Sequence, residues 1–150
     1  MTTTLVIGIG NTLAADDGIG PLAVRGLRVR TGVRVLVVHQ LTPELAEELA
    51  LAGRVIFVDA GLAGTEVEVT QVAPSRTWPT LAHTLTPAEL LALTEAVYGR
   101  RPDAFAVVMP GSSFEAGLSL SADSRRVLPR VTQAIETLIQ EANSVRTELR

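Results

Sequence analysis

The 150 residues include no cysteine and no lysine. Without cysteine there is no disulfide, no thiolate zinc site and no cysteine nucleophile. A reducing compartment suits such a chain, and the cytoplasm is the expected location. Without lysine there is no Walker phosphate loop. All thirteen basic residues are arginine, set against sixteen acidic ones for a net charge of −3. The arginines are scattered apart from Arg100-Arg101 and Arg125-Arg126, two pairs expected on solvated surface. No basic face marks a nucleic-acid partner. No apolar run reaches the roughly 18 residues that a membrane span requires. The opening "MTTTLVIGIG" lacks a basic n-region, so neither a membrane partner nor a signal peptide is expected. H-E-x-x-H and G-x-S-x-G are missing. Gly111-Ser112-Ser113 has only two histidines in the whole chain to draw on, which leaves a serine triad poorly supported.

What is present is an alternation of apolar runs and helical patterns. "TLVIGI" (4–9) reads as a strand covered on both faces, "RVIFVDAG" (54–61) as another buried strand, and "VRVLVVH" (33–39) and "AFAVVMPG" (104–111) as further strands. "TEVEVTQV" (65–72) alternates Val67 and Val69 with polar residues, which predicts an antiparallel or edge strand with one buried face. Helical spacing of Ile19, Leu22, Ala23, Gly26 and Leu27 follows the first strand. Pro21 restricts the start of that helix to residues 17–20. Thr42-Pro43 has the form of an N-cap and N1 pair opening a helix through about Ala52. Thr86-Pro87-Ala88-Glu89 is a capping box, with Leu85 and Leu90 as its hydrophobic staple. Its helix should run to Val97 or Tyr98 and stop at Gly99 and Pro102. Val131, Ala134, Ile135, Leu138, Ile139 and Ala142 mark a long C-terminal helix. Pro129 either kinks it or marks its start, and fraying is expected from about Ser144. The pattern implies one domain over 1–150: a three-layer α/β/α fold with a mostly parallel twisted sheet and one antiparallel or edge strand.

In such a fold the strands' C-terminal ends share one edge, and ligands bind beyond it. The first loop, "GIGNTLAADDGIG" (8–20), begins like a phosphate cradle but fails as one. The dinucleotide fingerprint needs a third glycine where Leu13 stands, and an acidic strand end where His39-Gln40 stands. Asp16 and Asp17 would repel a phosphate. One carboxylate there is accounted for by helix capping, worth about 0.3–1 kcal/mol. Asp59 ends a buried strand, where a carboxylate is costly unless paired, hydrated or bound to a cation. His83 precedes the capping box at the same edge. Asp17, Asp59 and His83 would together present two carboxylates and an imidazole, a set suited to a divalent first-row metal with positions left open. His39, also at a strand end, is a rival ligand that spacing does not exclude. Each of these residues also has a structural reading, as a cap, a turn or a packed side chain.

"GIGNTLAADDGIGPLAV", "VIFVDAG", "AHTLTPAELLAL" and "FEAGLSLS", in that order, resemble the hydrogenase maturation endopeptidases, over residues 5 to about 140. The resemblance implies an α/β fold and an endopeptidase that removes a C-terminal extension from the nickel-loaded large-subunit precursor of a nickel–iron hydrogenase. It implies that Asp17, Asp59 and His83 contact that nickel, which arrives with the substrate, and that no organic cofactor is used. A monomer is expected. The stretch "HQLTPELAE" (39–47) departs from the aspartate- and glycine-rich pattern of many relatives and resembles members serving bidirectional, NAD-linked hydrogenases. Two other readings of the residues are a non-catalytic metal-sensing maturation chaperone and an α/β hydrolase with its own metal.

Overall fold

A computed structural model describes residues 3–10, 19–27, 30–61, 66–77, 84–110 and 122–148. Five strands form one sheet: β1 (Thr4–Ile9), β2 (Val33–Val38), β3 (Arg54–Gly61), β4 (Glu68–Gln71) and β5 (Asp103–Pro110). Their order is β2-β1-β3-β5-β4. The first four in that order pair in parallel, and β4 closes the far edge antiparallel to β5. The expected α/β architecture, including the antiparallel edge strand, is what the chain adopts.

The four described helices divide between the two faces. Ala23, Val24 and Leu27 belong to α1 (Ile19–Arg25) and the turn after it. With Val131, Ile135 and Ile139 of α4 (Ala122–Glu148) they pack on Val6, Ile56, Val58 and Val107. Ala46 and Leu49 of α2 (Leu45–Ala50), with Leu90 and Leu91 of α3 (Pro87–Tyr98), cover Leu5, Ile7, Val55 and Phe57 on the other face. Both layers follow from the period-two alternation of strand side chains. In β1 and β3, odd positions face α2 and α3, and even positions face α1 and α4. β1 is buried along its whole length, as an interior strand between two helix layers must be.

Several boundaries differ from the sequence pattern, each for a local reason. Thr42 is not the cap of α2. Its hydroxyl bonds the Glu44 carboxylate instead, and with the Glu44 backbone N–H holds that carboxyl below its ordinary value. The Leu45 and Ala46 amides reach back only three residues, to Thr42 and Pro43, so a tight turn precedes the helix. β2 ends at Val38, before His39, and leaves Val35 and Val37 about two-fifths exposed at the sheet edge. β4 is shorter than the alternating segment and all four of its residues are exposed, Val69 included. The burial expected of that segment falls to its ends, where Val67 and Val72 pack against opposite cores. α4 begins at Ala122 and carries Pro129 inside it, on an exposed position, so the proline is not its start. The helix also continues past Ser144 to Glu148.

α3 matches its sequence signals closely. Thr86 Oγ1 accepts from the Glu89 amide at 3.1 Å, and Glu89 Oε1 accepts from the Thr86 amide at 2.9 Å. Leu85 and Leu90 are both buried in the same core. Gly99 ends the helix at φ +72°, a left-handed conformation that glycine adopts without the Cβ penalty.

Candidate active site

Asp59 lies near the C-terminal end of β3, with Val58 and Ala60 on either side facing the α1 and α4 core. Alternation therefore places Asp59 on the same side as Phe57, toward α2 and α3. It is half-buried, and its Oδ1 accepts from the Ala60 amide at 2.8 Å. That bond fixes one carboxylate oxygen. The strand run "VIFVD" creates the position: four fully buried apolar residues hold β3 in the sheet interior, and the charge falls where the strand emerges.

The two chain connections that leave β1 and β2 lie on opposite faces of the sheet. α1 joins β1 to β2 on one side, and α2 joins β2 to β3 on the other. β1 and β3 are neighbours, and the helices that follow them in sequence, α1 and α3, pack on opposite faces, so a crevice opens between their C-terminal ends. Asp59 stands at that crevice.

The first turn of α1 is set hard against the same place. A Cβ built on Gly20 would lie 2.5 Å from the Ile9 carbonyl oxygen and 2.8 Å from that of Val58. On the facing strand, a Cβ on Gly8 would lie 2.6 Å from Val24 Cγ2 and 2.8 Å from the Gly20 carbonyl oxygen. Both contacts are shorter than real Cβ atoms allow, so this helix and these strands meet as closely as they do because both positions are glycine. Pro21 follows in the first turn of the helix, where a missing N–H costs nothing.

On the opposite side, the chain entering α3 is tied to the end of β2. Thr84 Oγ1 donates to Gln40 Oε1 at 2.9 Å, and the Leu85 amide donates to the Leu41 carbonyl at 3.1 Å. Residue 84 is thereby brought to the same sheet edge as Asp59. His39 is exposed just beyond β2. β1 separates β2 from β3, so His39 stands two strand spacings from Asp59, roughly 10 Å at about 4.8 Å each.

Of the sequence-derived site, Asp59 is therefore placed at the crevice. Asp16, Asp17 and His83 lie outside the described residues, as do Ser112, Ser113 and the stretch 114–121. Among the described residues no group of three or more histidine, aspartate or glutamate side chains is set to hold a metal ion. The closeness of Gly20 to Val58 is the feature that sequence reading missed. The second G-x-G of the opening motif was its only signal there. A hollow of about 280 Å³ lies between residues 74–77 and Ala92, Glu95 and Ala96 of α3. It shares no residue with the end of β3, and its Glu95 is engaged by Arg101 at 2.9 Å. The hollow lies apart from the crevice at which Asp59 stands.

No described helix is long and apolar enough to cross a membrane. Neither a protein-family sequence model nor a curated protein sequence matches the chain. Solved structures do. The hydrogenase maturating endopeptidase HybD from E. coli aligns with a TM-score of 0.77 at 20% identity, over 94% of each chain. The [NiFe] hydrogenase maturation protease HybD from Thermococcus kodakarensis aligns at 0.69 and 22% identity, over 92% of this chain and 99% of its own. The [NiFe] hydrogenase maturation protease HycI from T. kodakarensis KOD1 aligns at 0.69 and 20% identity, over 93% of each. At such identities the shared property is the fold, and the chain has the α/β fold of the hydrogenase maturation endopeptidases.

Proposed function

We propose that this chain is an endopeptidase that removes the C-terminal extension of a nickel-loaded hydrogenase large-subunit precursor. The observation that carries the reading is Asp59 at the β1/β3 crevice of a fold shared with several maturation endopeptidases. The opening motif and the "AHTLTPAELLAL" segment support it, because Gly20 of the first is set against the strand ends at that crevice and Thr84 of the second is held beyond β2 at the same sheet edge. Asp17, Asp59 and His83 are the proposed nickel contacts. Two carboxylates with a neutral imidazole offer a charge of −2 and leave coordination positions for the precursor's own ligands.

Nickel belongs to the substrate in this scheme. An unloaded precursor lacks the shared ion and binds weakly, so cleavage acts as a checkpoint on metal insertion. The ion would polarise the scissile carbonyl or activate a water for attack. The stretch 39–47, at the rim beyond β2, is proposed to bear on which large subunit is accepted. The protein is proposed to act alone, as one domain and one subunit, in the cytoplasm.

The test is incubation of the purified protein with nickel-loaded and nickel-free precursor, followed by intact mass. A truncated large subunit in the loaded sample alone is the expected result. Binding of the loaded precursor without truncation would instead identify a metal-sensing chaperone.

A further inference from the structure

Gly20 has a geometry that the packing of a helix on a sheet does not require. All three atoms nearest its absent Cβ are backbone: the Ile9 oxygen at 2.5 Å, the Val58 oxygen at 2.8 Å and the Ile9 nitrogen at 3.2 Å. They belong to β1 and β3, the two strands that frame the crevice. A flexible side chain could swing away from an added methyl group, but two strand ends cannot. Adding the methyl would have to lift the first turn of α1.

Position makes this matter. Val58 immediately precedes Asp59, so Gly20 sets how closely α1 approaches the strand end that carries the carboxylate. Ile9 is the last residue of β1, and α1 begins at Ile19.

From this we infer that Gly20 is a positioning residue, which sets how closely the first turn of α1 approaches the strand end that carries Asp59 at the crevice. The inference rests on the proposed endopeptidase reading and deepens it. Gly20 touches no substrate. It acts through the placement of Asp59.

Two variants of the full chain test it. Gly20→Ala inserts the methyl against the Ile9 and Val58 backbone. Val24→Ala loosens the same helix from the same sheet without adding an atom at the strand ends, since Val24 is buried against the sheet beside Gly8. Both should lower the thermal unfolding midpoint. Only Gly20→Ala should slow single-turnover cleavage of bound, nickel-loaded precursor. The loss should reach about a hundredfold, the scale expected when reacting groups are misplaced by roughly 1 Å. Cleavage is compared at a temperature where both variants are folded by circular dichroism. The Ala60 amide, which donates to Asp59 Oδ1, supplies a readout independent of turnover. Its nuclear magnetic resonance shift should move in Gly20→Ala. A Gly20→Ala protein that cleaves as fast as wild type overturns the inference, as does a Val24→Ala protein that loses as much. Wild-type protein that leaves loaded precursor intact overturns the endopeptidase reading itself, and this inference with it.

Discussion

Asp59 is the residue at which charge and fold meet. Its Oδ1 already accepts the Ala60 amide, and an asparagine oxygen can take over that bond. Asp59→Asn should therefore keep that bond, and its stability should change by about 1 kcal/mol for any other bond it loses. Processing should nonetheless fall by at least about a hundredfold, because Asp59 is proposed as a direct ligand, and such a ligand is worth no less than the outer-shell partners of a metal site. Denaturant unfolding and cleavage of loaded precursor measure the two quantities. Equal losses in both would make Asp59 a structural cap. The histidines separate in the same assay. His83→Ala should abolish cleavage and His39→Ala should leave it near wild type, since His39 is exposed two strands away. Loss of cleavage in His39→Ala alone would reverse that assignment. The rate should also drop as pH is lowered through the imidazole range, about 6.5 when unperturbed. The direction follows from the proton: only the deprotonated ring can ligate, so acid weakens the nickel contact. A flat rate between about pH 8 and about pH 5 would remove histidine from the site.

Elements were legible where one signal decided them. The box at Thr86 and Glu89 named the start of α3 because each half satisfies a donor that the first helical turn leaves open. Thr86→Ala should cost about 1 kcal/mol, within the usual range for a lost cap, while leaving cleavage intact at room temperature. Thermal unfolding reads it, and a cost near zero would mean that Pro87 alone starts the helix. Where two signals competed, the sequence was ambiguous. Thr42-Pro43 has the same outward form, but Glu44 two residues on takes the Thr42 hydroxyl, and α2 begins later. In α4, Val127 is already buried in the core two residues before Pro129. The residues between Ala122 and Val127 are all polar, so apolar spacing alone could not locate the start at Ala122. β4 was identifiable as an edge from its alternation. Its brevity was not, because the ends of a ladder depend on what β5 offers opposite it.

At the scale of the whole molecule, alternating units indicated a sheet with one functional edge but not the order of strands within it. "TLVIGI", "VIFVD" and "AFAVV" are similarly apolar, and nothing in them says that β1 and β3 are neighbours. That neighbourhood places Asp59 at a switch in the direction of the chain. It also explains why the donors proposed for nickel come from separate units of the fold. Such a site is assembled by tertiary structure, and it is left incomplete until a substrate brings the ion and further ligands. Three donors with open positions form a weak resting site, whereas resident catalytic zinc is held tightly by a similar number of ligands within a closed shell of supporting hydrogen bonds. The purified protein should therefore retain far less than one equivalent of nickel or zinc after dialysis, as read by elemental analysis. Adding nickel-loaded precursor should then produce an Asp59-dependent complex detectable by size-exclusion chromatography. Stoichiometric zinc that survives dialysis, is lost in Asp59→Asn and supports cleavage of nickel-free precursor would make the metal the protein's own, and the checkpoint on nickel insertion would disappear with it.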